Sequence, residues 1–362
     1  MGLKDERITR ILPPTEEALQ EAGKILREGG LVGFPTETVY GLGANALDSQ
    51  AVFSFFAAKG RPADNPLIVH VTEVEEAEAI CYLTPEAREV MQVFCPGPLT
   101  LLLPKKDCIP PVVNAGLPSV AVRLPSHPVA RAMLKAAGVP VAAPSANTSG
   151  KPSPTLASHV YEDLKGKLSL ILDGGACQVG VESTVLDLTS LVPTVLRPGG
   201  ITPEMLMTVL PEVQVADSVL RPLRQGEKAL SPGMMYKHYA PRGQLTLVKG
   251  SRERVSACCL ECYRQAVEEG HKARILAFEE HLSDYGEAET DCIGRLSDPL
   301  TVTHSLFAVL RRADEEGVEV LFSEVLPPEG IGLAVMNRLS RAAAFRMIDA
   351  DLMESAEGGG TR

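Results

Sequence analysis

The sequence predicts an α/β protein of two domains: a larger one on a twisted mixed sheet with a concave site, and a smaller three-layer, Rossmann-like one. Three observations carry this expectation. At 362 residues the chain exceeds the ~250 residues up to which a single core grows efficiently. Helical patterns alternate with short apolar runs, as helix-flanked sheets require. Between Pro211 and Gly243 that alternation fades into a stretch punctuated by Pro222, Gly226, Pro232, Gly233 and Pro241, which reads as a linker. The expected boundaries are therefore residues 1–210, a linker or lid over 211–243, a second domain over 244–352 and a disordered tail over 353–362.

In the first domain, Ala18, Ala22, Ile25 and Leu26 recur at helical spacing between Glu16 and Gly30, with acids in the first turn and paired glycines at the end. Leu31 to Phe34 reads as a buried strand, Asp48 as the cap of a helix reaching Lys59, and Leu67 to Val71 as the next strand. Further strands are expected at Leu99–Leu103, Val120–Leu124, Val139–Ala143, Leu168–Leu172, Thr184–Leu188 and Thr194–Leu196. The later ones follow too closely for a helix in every connection, so the sheet should be mixed. Beyond the linker, strands at Gln244–Val248, Ala273–Phe278 and Val318–Phe322 alternate with helices at Glu253–Glu269, Val302–Glu316 and Asn337–Ile348.

Composition narrows the function. Apolar residues at 45% and charged residues at 22% exclude wholesale disorder. A net charge of −11, shared by both halves, leaves no concentrated basic face, which argues against stable binding of nucleic acid while permitting a local cleft for a small anion. No apolar run approaches the ~18 residues of a membrane span, and the first residues mix charges where a signal peptide is apolar, so a cytoplasmic protein is expected. Eight cysteines are too sparse for a disulfide scaffold. Cys258, Cys259 and Cys262 include one CxxC, but they lie on an expected helix with no second pair, so they read as reduced structural thiols.

Several segments place polar groups directly after apolar strands, where open α/β sheets build ligand sites. Pro35 to Gly43 offers two threonine hydroxyls and a carboxylate, equally compatible with a satisfied turn and with a site. Lys59-Gly60-Arg61 is either a solvated pair or an anion clamp, with a point charge and a planar fork for phosphate oxygens. His70, alone on its strand, fits a core position as well as a ligand position. Arg123 interrupts an apolar strand, and a buried guanidinium demands a carboxylate or phosphate. Pro144 to Ser153 concentrates hydroxyls, an amide and an ammonium behind a strand, without Walker spacing. Glu182-Ser183-Thr184 and Leu196-Arg197-Pro198-Gly199 repeat the theme. Together they suit a nucleotide and a small carboxylate.

In their order along the chain these segments resemble the YrdC-like threonylcarbamoyl-AMP synthases over about residues 15–210. Ser231 to Pro241 and Gly332 to Leu339 resemble the linker and C-terminal domain of the long, two-domain form. The resemblance implies synthesis of threonylcarbamoyl-adenylate and pyrophosphate from L-threonine, bicarbonate and ATP, for modification of adenosine 37 in tRNA by a downstream threonylcarbamoyl-transfer machinery. Carried over residue by residue, it places threonine on Thr38, His70, Arg123, Ala143 and Ser183, with Arg123 on the carboxylate. ATP falls to Lys59, Arg61, Asn65, Ser119, Ser145, Asn147, Ser153 and Arg197, with Lys59 and Arg61 assigned to the chemistry. Tyr236 and His238 would meet the nucleotide from a strap closing over the cleft. No metal ligand stands out, so Mg2+ is expected to ride on the ATP. Two other readings remain: a carbamoyl transferase of the hydrogenase-maturation type, whose zinc-finger and acylphosphatase-like segments are missing here, and a double-stranded RNA-binding module, which the acidic balance disfavours.

Overall fold

The computed structural model describes residues 8–60, 65–222 and 239–352. Among them, eleven strands form one sheet and five a second. From edge to edge the first sheet runs Arg10–Leu12, Leu170–Leu172, Val32–Phe34, Gly41–Asn45, Val141–Ala142, Ile68–His70, Ser119–Arg123, Leu99–Pro104, Thr184–Asp187, Thr194–Arg197 and Gln214–Val215. It is mixed, as expected: Val32–Phe34 lies parallel to one neighbour and antiparallel to the other. Ile68–His70 runs parallel to Ser119–Arg123 and sets His70 beside Arg123.

Local chemistry fixes the helix ends. The Thr15 hydroxyl accepts from the Ala18 amide to start Glu16–Arg27, with Glu16 and Glu17 in the positive first turn and Lys24 and Arg27 in the negative last one. Asp48 caps Ser49–Lys59 through the Gln50 and Ala51 amides, and Gly60 ends it in the left-handed region. Lys59 is thereby delivered to the end of a rigid element.

Three expectations require correction. Gly41–Asn45 is a strand and not loop, and its glycines serve contact: a Cβ at Gly43 would meet Val141 at 2.9 Å and one at Gly41 would meet Phe34 at 3.0 Å. The first sheet also continues beyond residue 210, because Gln214–Val215 pairs with Thr194–Val195, and Ser218 and Val219 are buried behind it. Finally, Asn337–Ile348 is not one helix. The helix is Ile331–Ala342; Ala344 and Phe345 take positive φ, which ends it, and Met347–Asp349 joins the second sheet.

The second sheet runs Thr290–Cys292, Ala273–Ala277, Val320–Glu324, Gln244–Lys249 and Met347–Asp349, all parallel. Alternation along its strands separates two cores. Leu245, Leu247 and Leu276 face Pro299–Glu315 and Ile331–Ala342, whereas Val248, Ile275 and Ala277 face Arg252–Glu268. Three layers result. Cys258 and Cys259 are buried in the latter core, and burial pushes the Cys258 thiol up to about 12, the behaviour of a structural thiol.

Helix Glu16–Arg27 crosses Pro128–Ala137 so closely that a Cβ at Gly23 would sit 2.5 Å from the Ala136 carbonyl carbon. Gly23→Ala should therefore destabilise the first domain by about 1–3 kcal/mol through overpacking, despite the better helix propensity of alanine. Chemical denaturation would measure the change, and a stabilised variant would show that the two helices can separate freely.

Candidate active site

The strand Val32–Phe34 leads into a turn whose hydroxyls are partly satisfied within it. Thr36 Oγ1 accepts from the Thr38 and Val39 amides at 3.2 Å and donates to the Val39 carbonyl at 2.6 Å, while Thr38 Oγ1 lies 2.8 Å away. Glu37 leaves this turn for the next wall. Its carboxylate receives Arg123 Nη2 at 2.7 Å, a buried pair, and the amide of exposed Ser126 at 3.2 Å. This is the anion that the buried strand arginine demanded.

His70, level with Arg123 in the register, is held down to about 3, first by burial and then by the Arg123 charge. It is a neutral imidazole at physiological pH. Its Nδ1 lies 3.2 Å from the Ile68 carbonyl, and its ring meets Phe34 edge-on at 6.1 Å.

The turn after Val141–Ala142 unites two sequence motifs. Lys59 Nζ donates to the Ser145 carbonyl and lies 3.4 Å from Asn147 Oδ1, which also receives the Ser145 hydroxyl at 2.5 Å. Asn147 Nδ2 in turn donates to the Thr148 and Lys151 carbonyls at 2.9 Å. The ammonium is thus fixed against the turn it must serve, and the reading of Lys59 as a solvated surface charge does not hold, since Lys59 is buried.

On the far wall, Arg197 reaches back to the start of Thr184–Asp187: its Nε donates to the Ser183 carbonyl at 3.0 Å and its Nη2 to Ser183 Oγ at 3.1 Å. Burial lowers this guanidinium to about 10, with Arg338 and Arg123 acting in the same direction against Tyr239 and Glu182. Glu182 accepts from Ser153 Oγ and from Arg338 Nε, the latter at 2.8 Å. Burial pushes its carboxyl up, but Arg338, Arg197 and the Ser153 bond outweigh burial and leave it lowered.

These walls enclose a pocket with about 600 Å³ of empty space, its open mouth included. Of the residues singled out in the sequence, Thr38, His70, Arg123, Ala143, Ser145, Asn147, Ser153 and Arg197 line it together. Lys59 borders it through Ser145 and Asn147. Ser183 stands behind the wall, between Arg197 and the Thr100 hydroxyl at 2.8 Å. Ser119 begins the strand that Arg123 ends and does not line the pocket. Asn65 is fully buried, and neither atom of its amide has a partner among the described residues. Arg61, Tyr236 and His238 lie outside the described residues. Thr36, Glu182 and Tyr239 join the lining without having been assigned to it from sequence, as do Val39, Gly41, Ile68 and Pro144, and Glu37 anchors it. A signal for Glu37 existed, since Arg123 required a carboxylate and Glu37 follows a strand in the same domain.

An α/β sheet that gathers buried cations, hydroxyls and a neutral histidine around one pocket defines a small-molecule enzyme acting on anionic substrates. Residues 24–199 match the Sua5_yciO_yrdC family, described as telomere recombination, and residues 201–344 match the threonylcarbamoyl-AMP synthase C-terminal domain. The chain is 45% identical over 335 residues to a threonylcarbamoyl-AMP synthase of Pyrococcus abyssi, covering 92% of this chain and 96% of the other. It is 46% identical over 343 residues to one of Bacillus subtilis, covering 94% and 97%. The crystal structure of P. abyssi Sua5 complexed with L-threonine superposes with a TM-score of 0.87 at 44% identity, over 94% of this chain and 98% of that one. The chain belongs to the threonylcarbamoyl-AMP synthase family, in its two-domain form. Among the described residues, no helix is long and apolar enough to cross a membrane.

The position of His70 has a consequence for stability. Its folded value of about 3 lies below the ordinary 6.5, so the unfolded chain binds the proton first as pH falls. His70 therefore contributes nothing above pH 6.5 and costs stability increasingly below it. His70→Gln should flatten the loss of unfolding free energy with falling pH by about 1.4 kcal/mol per pH unit in the range below 6.5. Denaturant titrations across that range test this, and an unchanged slope would mean that the imidazole charges inside the folded protein.

Proposed function

We propose that this chain is an L-threonylcarbamoyladenylate synthase, joining L-threonine, bicarbonate and ATP into threonylcarbamoyl-AMP and pyrophosphate. The product serves the threonylcarbamoyl modification of adenosine 37 in tRNA and passes to the transfer machinery that consumes it. The observation that carries this reading is the convergence of Arg123, His70, Ser145, Asn147, Ser153 and Arg197 on a single pocket. Near full-length likeness to named synthases and to a threonine-bound homologue supports it.

In the reaction the threonine amine adds to carbon dioxide or bicarbonate, water leaving in the latter case, to give a carbamate. A carbamate oxygen then attacks the α-phosphorus of ATP in line, and pyrophosphate leaves. Little covalent chemistry is asked of the protein; it must hold two anions in near-attack geometry and offset their charge. Arg123 takes the threonine carboxylate while Thr38, Ala143 and the neutral His70 surround the rest of the amino acid, with Ser183 acting from behind the wall through Arg197. Because His70 stays uncharged, it accepts or donates a hydrogen bond without competing with Arg123 for the carboxylate. Lys59, Arg61, Asn65, Ser145, Asn147, Ser153 and Arg197 take the nucleotide, whereas Ser119, outside the pocket lining, has no direct part; Tyr236 and His238 are assigned to the nucleotide as well. Lys59 and Arg61 offset the charge that develops on the phosphates. Mg2+ supplies further charge neutralisation when bound to those phosphates. Ser145 Oγ, whose proton goes to Asn147 Oδ1, keeps its lone pairs for the water shell of a magnesium carried by ATP, and no carboxylate cage is required of the protein.

Pyrophosphate release should require threonine and bicarbonate together, with serine a weak substitute because a missing methyl in an apolar niche costs only about 1–3 kcal/mol. Equal release from ATP alone would sink the synthase reading. Arg61→Ala should raise the KM for ATP more than that for threonine, and Arg123→Ala the reverse, as steady-state titration of each substrate would show. Identical defects for both substrates would refute the division of roles.

A further inference from the structure

The second domain does more than lie beside the pocket. Arg338, on helix Ile331–Ala342, has no exposed surface at all, an unusual state for an arginine. Its guanidinium enters the first domain. Nε donates to Glu182 Oε2 at 2.8 Å, Nη2 to the Glu182 carbonyl at 3.2 Å, and Nη1 to the Pro198 carbonyl at 2.8 Å. Those carbonyls belong to the neighbours of Ser183 and Arg197, the pair that builds the far wall. The other oxygen of Glu182 accepts the Ser153 hydroxyl. At this corner the backbones approach so closely that a Cβ at Gly199 would sit 2.4 Å from the Thr184 amide nitrogen. Asn337 Oδ1 receives Nη1 at 2.8 Å, and the Tyr239 ring, which lines the pocket, lies 5.5 Å from the Arg338 guanidinium carbon.

We propose that Arg338 is a positioning residue for the nucleotide: supplied by the second domain, it fixes the Glu182 carboxylate, and through it Ser153 and the strand ends that carry Ser183 and Arg197. This rests on the assignment of Ser153 and Arg197 to ATP. A buried carboxylate between a serine and two arginines holds one geometry only while its countercharge is present. Without the guanidinium, Glu182 keeps Ser153 alone as a hydrogen-bond partner of its carboxylate among the described residues, two backbone carbonyls lose this donor, and the Ser153 hydroxyl is no longer held by a fixed acceptor. The pocket of the first domain is thus incomplete without a side chain from the second, which gives that domain a direct part in binding substrate.

The test compares the full-length wild type with Arg338→Met, Arg338→Lys and the double variant Glu182→Gln/Arg338→Met. Calorimetric titration with a non-hydrolysable ATP analogue and, separately, with L-threonine reads binding whether or not product is made. Formation of threonylcarbamoyl-AMP by the wild type tests the functional reading on its own. Arg338→Met should weaken the analogue about tenfold to a hundredfold with little change for threonine, and Arg338→Lys should recover part of the loss. If Arg338→Met does not fold, the double variant removes both buried charges and restores melting, and it should still bind the analogue weakly. Wild-type analogue affinity in either folded variant that carries Arg338→Met, or an equal loss for both ligands, would overturn the proposal.

Discussion

The architecture depends on where buried guanidinium groups find their anions. Arg123 meets Glu37 at 2.7 Å, Arg311 meets Asp163 at 3.0 Å and Arg338 meets Glu182 at 2.8 Å, each with little or no exposed surface. Desolvating two ions costs about as much as their attraction returns, so such pairs add little net stability compared with apolar residues of the same volume. Losing one partner is another matter, costing about 3–5 kcal/mol, because the survivor stays buried and charged. The pairs therefore act as registration pins. A docking of the two domains that missed either interdomain pair would strand a charge.

Both interdomain pins attach to segments that carry lining residues of the pocket. Arg311 donates to Asp163 and, at 2.6 Å, to the carbonyl of Pro152, inside the turn that carries Asn147 and Ser153. Asp163 also receives Lys151 Nζ at 2.8 Å and the Thr148 amide at 3.1 Å. Burial pushes the Asp163 carboxyl up, while Arg311 and Lys151 outweigh it and leave it lowered. Arg338 grips the opposite wall at Glu182 and Pro198. Tyr239 lies between them, its ring stacked on Phe307 at 5.3 Å and its backbone at a φ of 63°. That conformation costs a non-glycine residue about 1–3 kcal/mol, which stacking and the bond from the Ala240 amide to the Gly150 carbonyl at 3.0 Å offset. The second domain thus holds two segments of the first that carry lining residues of the cleft.

Much of this was legible in the sequence where one short-range rule dominated. Asp48 as a cap, Leu99 to Leu103 as a buried strand and Gln244 to Val248 as the first strand of a parallel set depend on near neighbours alone, and each lies where expected. Gly41–Asn45 was illegible because a glycine-rich strand lacks the apolar alternation that marks strands; its glycines answer to Phe34 and Val141, which only the folded sheet brings near. Helix Ile331–Ala342 was misplaced because Ala344 and Phe345, whose residue types give no sign of a positive φ, end it; what lets Arg338 and Arg341 be buried on it is a partner in the other domain. The site was legible as a set of segments after strands. Its internal pairing was not: Lys59 with Ser145 and Asn147, and Arg123 with Glu37, each join residues more than eighty positions apart.

The pairing of Arg123 with Glu37 also bears on how the site treats its first anion. An arginine already bonded to a buried carboxylate is not thereby spent: Glu37 occupies Nη2, and Nε is buried with no partner among the described residues. The nearest titratable neighbour in the strand register, His70, is held neutral by burial and by Arg123 itself, so it adds no charge beside the pair. Glu37 then fixes the arginine on its strand and offsets its charge. A bare buried arginine would be costlier to fold and would hold its ligand in a deeper well, which lowers KM without helping the bond-making step. The Glu37 carboxylate, silent in the sequence, is in this sense what lets Arg123 stay buried and charged at the pocket.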